Sequence, residues 1–431
     1  MQLKERFRIQ DAGAFVGKEV TVEGWVTHLR AAGKKLRFIV VRDGSGFMQT
    51  VLFRGEAEDA AFDVFDELTQ ESSVRITGVV KAEPRSVGGH ELSVRQVELV
   101  SKAEEYPISN KEHGVEFLME HRHLWLRSQK QWAAARVRSE VEYAIHTFFR
   151  DEGFVQFDAP VLTPSACEGT STLFKTEYFD EEAFLTQSGQ LYGEAGAMAL
   201  GRIYTFGPTF RAEKSKTRKH LTEFWMIEPE MAFANLDDSM ALGEGLIHFI
   251  IRRVLERCGR ELEILERDLT PLKKALEPFK RLHYDEAVRI LQEKGFDIPW
   301  GEDFGAPHET ALGEVFGAPV FIHHFPAQIK AFYFKCEDKY ALGCDLIAPD
   351  GYGEIIGGGQ REESVEVLET RIREHGLSLE DYRWYLDLRR FGSVPHAGFG
   401  LGLERTVAWM CGVPHLRECI AFPRMLNQLR P

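Results

Sequence analysis

The sequence predicts an α+β protein: a small N-terminal β-barrel followed by a larger body of helices around a mostly antiparallel sheet. Three observations point there. Residues 19–100 hold five short β-rich stretches punctuated by Gly, Asp and Pro. From Gln129 the apolar residues change to helical spacing. Beyond that helix, strand-like stretches flank a largely helical segment.

The barrel stretches are KEVTVEGWVTHLR, LRFIVVRDG, GFMQTVLF, SSVRITGVVKAEP and HELSVRQVELV. Five short strands within about 80 residues suit a Greek-key barrel such as the OB-fold, assigned to residues 1–102. The polar, Pro-containing AEEYPISNKEHG opens a hinge, residues 103–128. The body spans 129–431. Its first helix sets Trp132, Val137, Val141, Ile145, Phe148 and Phe149 at helical spacing and stops at Gly153. FVQFDAPVLTP reads as a strand broken at Pro160. A helical insertion is expected over about 235–300, with breaks at Pro271 and Pro278. Strands return at PVFIHHFP, IKAFYFK, CDLIAP and GYGEIIGG, and HAGFGLGLERTVAWMCGV leads into a final helix.

The chain has 431 residues, 44% hydrophobic and 28% charged, as in globular proteins of two or three domains. No apolar run approaches the roughly 20 residues a membrane helix needs, and MQLKERFRIQ is not a signal peptide. A cytoplasmic protein with no membrane partner is expected. Six cysteines without a C-x-x-C pair suit buried thiols better than zinc. The net charge of −14 leaves nucleic-acid contact to local basic patches, and DNA is not an expected partner. There is no G-x-x-x-x-G-K-[ST], no H-E-x-x-H and no G-x-S-x-G, and GFGLGLER has the wrong spacing for a dinucleotide loop.

Four segments carry chemistry. RAEKSKTRKH, the tip of a strand–loop–strand from Phe206 to Phe233, gathers Arg211, Glu213, Lys214, Lys216, Arg218, Lys219 and His220. Arg offers a planar fork for phosphate oxygens, and Phe224 on the return can stack on a purine. Asp345 and Glu354, beside a glycine run and Arg361, are spaced to hold Mg²⁺ against phosphates. Arg405 follows a glycine-rich strand whose bare backbone lets a ligand approach. SACEGTSTLF and TQSGQLYGE add Glu168, Ser188, Gln190 and Glu194.

These residues carry a resemblance. F-R-A-E in a strand–loop–strand and G-L-G-L-E-R ahead of a helix resemble motifs 2 and 3 of the class II aminoacyl-tRNA synthetases. The helix from Gln129 with FVQFDAPVLTP resembles motif 1, with Pro160 as its proline at a homodimer interface. The barrel ahead of them resembles the aspartate/asparagine/lysine subgroup, so the likeness covers essentially the whole chain. It implies ATP as substrate, with Arg211 on the α-phosphate, Glu213 at the adenine end, and Arg218 and His220 on the outer phosphates. Phe224 would stack under adenine and Arg405 cover its other face or meet the γ-phosphate. Asp345 and Glu354 match the Mg²⁺ carboxylates, although Gly357, Gly358 and Gly359 stand where related sequences often carry a serine.

For the amino acid, SGQLYGE, RRFGSVPHAGFGLGLERTVAW and IAFPR resemble the bacterial-type, asparagine-specific branch. Aspartate-specific relatives read more like QSPQLYKQ; here Gly193 replaces that lysine and Glu194 follows. Glu194 is expected to accept from the asparagine amide, with Arg361 donating to its oxygen and pairing with Glu194. Glu168, Ser188 and Gln190 would hold the α-amino group. The implied reaction is ligation of L-asparagine to tRNA(Asn) through an asparaginyl-adenylate. In the barrel, Phe38 and Gln49 match an aromatic and a glutamine that read the middle anticodon base, with Arg30 as a further contact. An aspartate enzyme with relaxed tRNA choice and a non-catalytic tRNA-binding relative are the alternatives.

Overall fold

The computed structural model describes residues 6–109, 111–167 and 172–430. The chain divides into two compact units, Met1–Leu118 and Met119–Pro431.

In the first unit, strands β1 (Glu19–Ala32), β2 (Leu36–Arg42), β3 (Phe47–Phe53), β4 (Ser73–Ala82) and β5 (His90–Ser101) close into a barrel in the order β1-β2-β3-β5-β4. Alternate residues turn inward, as a pleated strand requires. Val22, Val26, Ile39, Val41, Met48, Leu52, Ile76 and Leu92 fill the interior. The helix Asp59–Glu67 adds Phe62 and Phe65 to the same core.

The expected hinge is only partly a connector. Short helices occupy Val115–Glu120 and Arg122–Trp125. Arg122 is buried in the second unit, where its guanidinium donates to the carbonyls of Ile420 and Ala421 and to Gln131.

The second unit is built on a 9-stranded sheet. Its strands are β6 (Val155–Gln156), β10 (Arg202–Phe210), β11 (Glu223–Ala232), β12 (Lys280–His283), β13 (Val320–Pro326), β14 (Cys336–Glu337), β15 (Tyr340–Ala348), β16 (Gly353–Gln360) and β17 (His396–Gly402). They run in the order β12-β13-β15-β16-β17-β11-β10-β6, with β14 on β15. Among the described residues of this sheet, β6–β10 and β12–β13 pair in parallel and the other strands antiparallel. A small sheet, β7 (Leu162–Thr163), β9 (Glu181–Leu185) and β8 (Lys175–Tyr178), stands apart.

One face of the large sheet is the core. Ile227, Ile356, Phe399 and Leu401 share a cluster with Val141, Ile145 and Phe149 of the helix Gln129–Asp151 and with Ile247, Ile250 and Ile251 of the helix Leu236–Arg257. Asn235 starts the latter helix with a capping box closed by Asp238. The expected helical insertion also contains β12 and continues into the helix Ala306–Phe316.

The middle of the opposite face is nearly bare, while at one end Val320 and Ile322 of β13 enter a second core and at the other the helix Gln190–Leu200 lies over β10 and β11. Register aligns Asp345 with Gly357 and Gly357 with Gly400; the next row runs Gly343, Gly359, Gly398, Glu230. Alternation puts Phe224, Met226, Glu228 and Glu230 of β11 on this side. The chain thus lays a floor of glycine backbone bordered by one aromatic and several carboxylates.

Candidate active site

A cavity opens at one end of that floor. It is lined by Arg211, Glu213, Lys219, His220, Phe224, Met226, Glu354, Gly400, Gly402 and Arg405. The hairpin β10–β11, paired without a shift from Arg202–Met231 to Phe210–Glu223, brings Arg211 back over Phe224. The Arg211 guanidinium lies 5.5 Å from the ring centroid. Arg405, at the start of the helix Leu403–Cys411, donates to the carbonyl of Glu354 at 2.6 Å. His220 approaches Glu213 at 3.7 Å. Burial and the Arg405 charge hold the His220 imidazole below its usual range. Burial likewise lowers Lys219, partly opposed by Glu309 at 4.0 Å. The cavity therefore collects cations that lack full solvation, which suits an anionic ligand.

Arg218 is not among the residues lining this cavity. It is exposed, and its carbonyl accepts from Leu416 N on the C-terminal segment. The tail grips the hairpin's return arm again where Thr222 N donates to Arg424 O.

Asp345 and Glu354 converge. A Cβ placed on Gly357 would lie 2.4 Å from Glu354 Oε1 and 3.5 Å from Asp345 Oδ1. A side chain at 357 would fill the space between them. Lys330 Nζ bonds both oxygens of Asp345, at 2.8 and 3.0 Å. Burial and the Glu354 charge push the Asp345 carboxyl up, while Lys330 opposes them. Among the described residues no three His, Cys, Asp or Glu form a metal cage. Glu354 lines the cavity and Asp345 does not, but two carboxylates that converge on Gly357 still fit Mg²⁺, which is held by one or two carboxylates plus ligand oxygens and water.

The amino-acid end departs from expectation. Arg361 does not hydrogen-bond Glu194; it pairs with Glu230 of β11, both fully buried. Arg361 Nη1 is buried and has no hydrogen-bond partner. Glu194, expected to accept from the substrate, is already saturated. Its oxygens accept from Arg389 at 2.6 Å, from Tyr385 at 2.8 and 2.9 Å and from Gln190 at 3.1 Å, and His396 Nε2 lies 2.9 Å away. Burial works against this carboxylate, but Arg389 and then His396 outweigh it and hold it below the usual range. Burial, reinforced by the Glu194 charge, pushes Glu230 up, with Arg361 opposing. Gly193 faces Glu230: its Cβ position lies 3.5 Å from Glu230 Cγ. The Ser188 hydroxyl donates to Glu228, which also accepts from Gly189 N at 2.7 Å and Thr205 at 2.9 Å. Gln190 is buried beside them, and Glu168 lies outside the described residues.

Sequence reasoning thus missed Glu228, Glu230, Arg389 and His396. Glu228 and Glu230 carry a signal after the fact: two carboxylates at period 2 on a strand whose neighbours, Phe224 and Met226, face the cavity.

In the barrel, β1, β2 and β3 bring Arg30, Phe38 and Gln49 to one outer face, through the pairs Arg30–Phe38 and Val40–Gln49. The Arg30 guanidinium stacks 4.4 Å from the Phe38 centroid. Gln49 Nε2 reaches Glu91 at 3.3 Å and Ser86 at 3.4 Å. Pro160 is exposed, just before β7.

Comparison with known proteins agrees with this architecture. Residues 114–426 match the class II tRNA synthetases (D, K and N), and residues 20–100 match the OB-fold nucleic acid binding domain. An asparagine--tRNA ligase of Desulforamulus reducens is 55% identical over 98% of this chain and 99% of its own. The chain belongs to the asparagine--tRNA ligase family of the class II tRNA synthetases. A second such ligase, of Pelotomaculum thermopropionicum, is 54% identical over 99% of this chain and all of its own. The asparaginyl-tRNA synthetase of Pyrococcus horikoshii, solved with asparaginyl-adenylate, superposes on the ligase with a TM-score of 0.95, 42% identity and full coverage of both chains. The aspartyl tRNA synthetase of Entamoeba histolytica is more distant, at TM-score 0.85 and 28% identity over 99% of this chain and 93% of its own. The likeness supports the asparagine ligase rather than either alternative raised by the sequence.

Proposed function

We propose that this ligase condenses ATP with L-asparagine in the cavity over the glycine floor, then passes the asparaginyl group to tRNA(Asn). One observation carries the site: Arg211, Lys219, His220 and Arg405 line a single cavity with Phe224 and Glu354. Phe224 offers a face for adenine. Arg211 and Arg405 meet the phosphates, and His220 and Glu213 border them.

No general base is needed. The α-carboxylate of asparagine is ionised at neutral pH and attacks the α-phosphorus itself. One O–P bond forms, from the carboxylate oxygen to the α-phosphorus, as the α-phosphorus bond to the pyrophosphate oxygen breaks, and pyrophosphate carries away the electron pair. The protein's part is alignment and charge cancellation. Mg²⁺ on Asp345 and Glu354 would supply further positive charge at the phosphates.

The asparagine side chain belongs at the Arg361–Glu230 pair. The unpartnered Arg361 Nη1 would donate to the amide oxygen, and a Glu230 oxygen would accept from the amide NH₂. Leaving such buried groups unpaired costs about 1–3 kcal/mol each, so a ligand without a carboxamide is penalised. Ser188 and Gln190, with Glu228 behind them, lie toward the α-amino end. On the barrel, the Arg30–Phe38 stack and Gln49 offer a ring and an amide to an anticodon base. A homodimer joined near Pro160 and a cytoplasmic location, where ATP and tRNA are available, complete the reading.

ATP–pyrophosphate exchange with each amino acid, without tRNA, tests it. Exchange with asparagine that collapses in Arg211→Ala is expected. Unchanged exchange in that variant would remove the site assignment.

A further inference from the structure

Behind the Arg361–Glu230 pair lies a second charged layer that the reaction does not touch. Glu194 and Arg389 have side chains wholly removed from solvent, and so has His396. This layer is tied to the first by backbone. Arg361 N donates to the carbonyl of His396 at 2.9 Å, and Arg389 Nε donates to the carbonyl of Glu362 at 2.9 Å. His396 Nδ1 lies 2.8 Å from the carbonyl of Val394, and its Nε2 faces Glu194. Five elements meet here: Gln190 and Glu194 come from one helix, Tyr385 and Arg389 from another, and Glu230, Arg361 and His396 from β11, the end of β16 and β17.

We propose that Glu194, with Arg389 and His396, is a specificity-determining cluster: it fixes the charge behind the carboxamide pocket so that aspartate is refused. This rests on the reading that Arg361 and Glu230 take the substrate side chain.

Glu194, Glu228 and Glu230 supply three carboxylates. Arg361, Arg389 and His396 supply at most three positive charges, and two when the imidazole is neutral. With the three carboxylates ionised, these six groups do not sum to a positive charge. Asparagine enters neutral and leaves the sum unchanged. Aspartate brings an anion into a site with no spare cation, and an uncompensated buried charge is strongly unfavourable. Nearly isosteric ligands are separated in this way by repulsion rather than by shape. Glu194 touches neither substrate in this arrangement. It acts by charge through Glu230 and Arg361, so it is a positioning residue. Gly193, which faces Glu230, marks the place where an added cation would undo the balance.

The test is pyrophosphate exchange with asparagine and with aspartate, giving kcat/KM for each. Glu194→Gln should raise the aspartate-to-asparagine ratio about tenfold or more. Arg389→Gln alone should move the ratio the other way, and Glu194→Gln/Arg389→Gln should bring it back. Tyr385→Phe removes a hydrogen bond without a charge and should leave the ratio alone. Equal losses for both amino acids, or a ratio unmoved in Glu194→Gln and Arg389→Gln, would overturn the proposal. Should Glu194→Gln fail to fold, Arg389→Gln and His396→Gln still read the opposite sign. Glu230→Gln separates the two readings: an unchanged KM for asparagine there would remove the pocket assignment itself.

Discussion

Arg405 is held by Glu354: its guanidinium donates to the Glu354 backbone carbonyl at 2.6 Å, which joins the start of the helix Leu403–Cys411 to β16. One Nη is spent on position, and Arg405 lines the cavity. Arg405→Ala should therefore raise the KM for ATP and cut exchange by about 10²–10³. Arg405→Lys should recover little, because an ammonium cannot bond the carbonyl and present a planar fork together. Exchange kinetics against ATP concentration check both.

The glycine floor makes a graded prediction. A Cβ at 398 would lie 2.2 Å from the Pro229 carbonyl and 2.4 Å from Glu230 Cδ. Backbone cannot step aside, so Gly398→Ala should cost about 1–3 kcal/mol in a denaturant melt and disturb the Arg361 pair. A Cβ at 400 would meet chiefly the flexible end of Met226, at 2.5 Å. Gly400→Ala should fold nearly normally and show its defect in the KM for ATP.

Removing divalent metal with a chelator should abolish exchange, and added Mg²⁺ should restore it. Asp345→Asn should raise the Mg²⁺ concentration needed for half-maximal exchange, because one of two carboxylates is lost while Lys330 keeps its charge. A requirement for Mg²⁺ unchanged in this variant would remove Asp345 from the metal site.

On the barrel, Phe38→Ala should raise the KM for tRNA in aminoacylation and leave amino-acid-dependent exchange untouched. Stacking of a base on an aromatic is worth about 1–3 kcal/mol.

A pH effect on stability comes from β13. Burial, reinforced by His324 and His283, holds the His323 imidazole down to about 4. The native state keeps it neutral, while the unfolded chain takes up a proton near pH 6.5. Protons then bind the unfolded state first, so stability is full above about pH 6.5 and is lost as the pH falls toward 4. His323→Gln should flatten this part of the melting-temperature profile.

What could be read in the sequence was local. The hairpin tip, with Arg211 and Phe224 on either side, is a contiguous stretch, and alternation along it suffices to place both. The glycines of β16 and β17 announce a bare strand. The Arg361 partner was not legible. Glu194 is the nearest carboxylate in the TQSGQLYGE stretch, but Glu230 is selected by the register of three strands across the sheet. Nor does RAEKSKTRKH say which of its cations line the cavity: Arg211, Lys219 and His220 do, while Arg218 is exposed and its carbonyl accepts from Leu416 N.

The two faces of the large sheet are unequally finished. One is packed against helices; the other, over β16 and β17, shows glycine where a core would carry side chains. ATP and asparagine are, in effect, the hydrocarbon, aromatic and polar filling that the sequence withholds. The adenylate should then behave as a piece of the interior: its departure exposes a seam of backbone, and its presence should raise the melting temperature of this unit by mass action. On this account the empty enzyme is a protein with part of its interior on loan from the substrate pool.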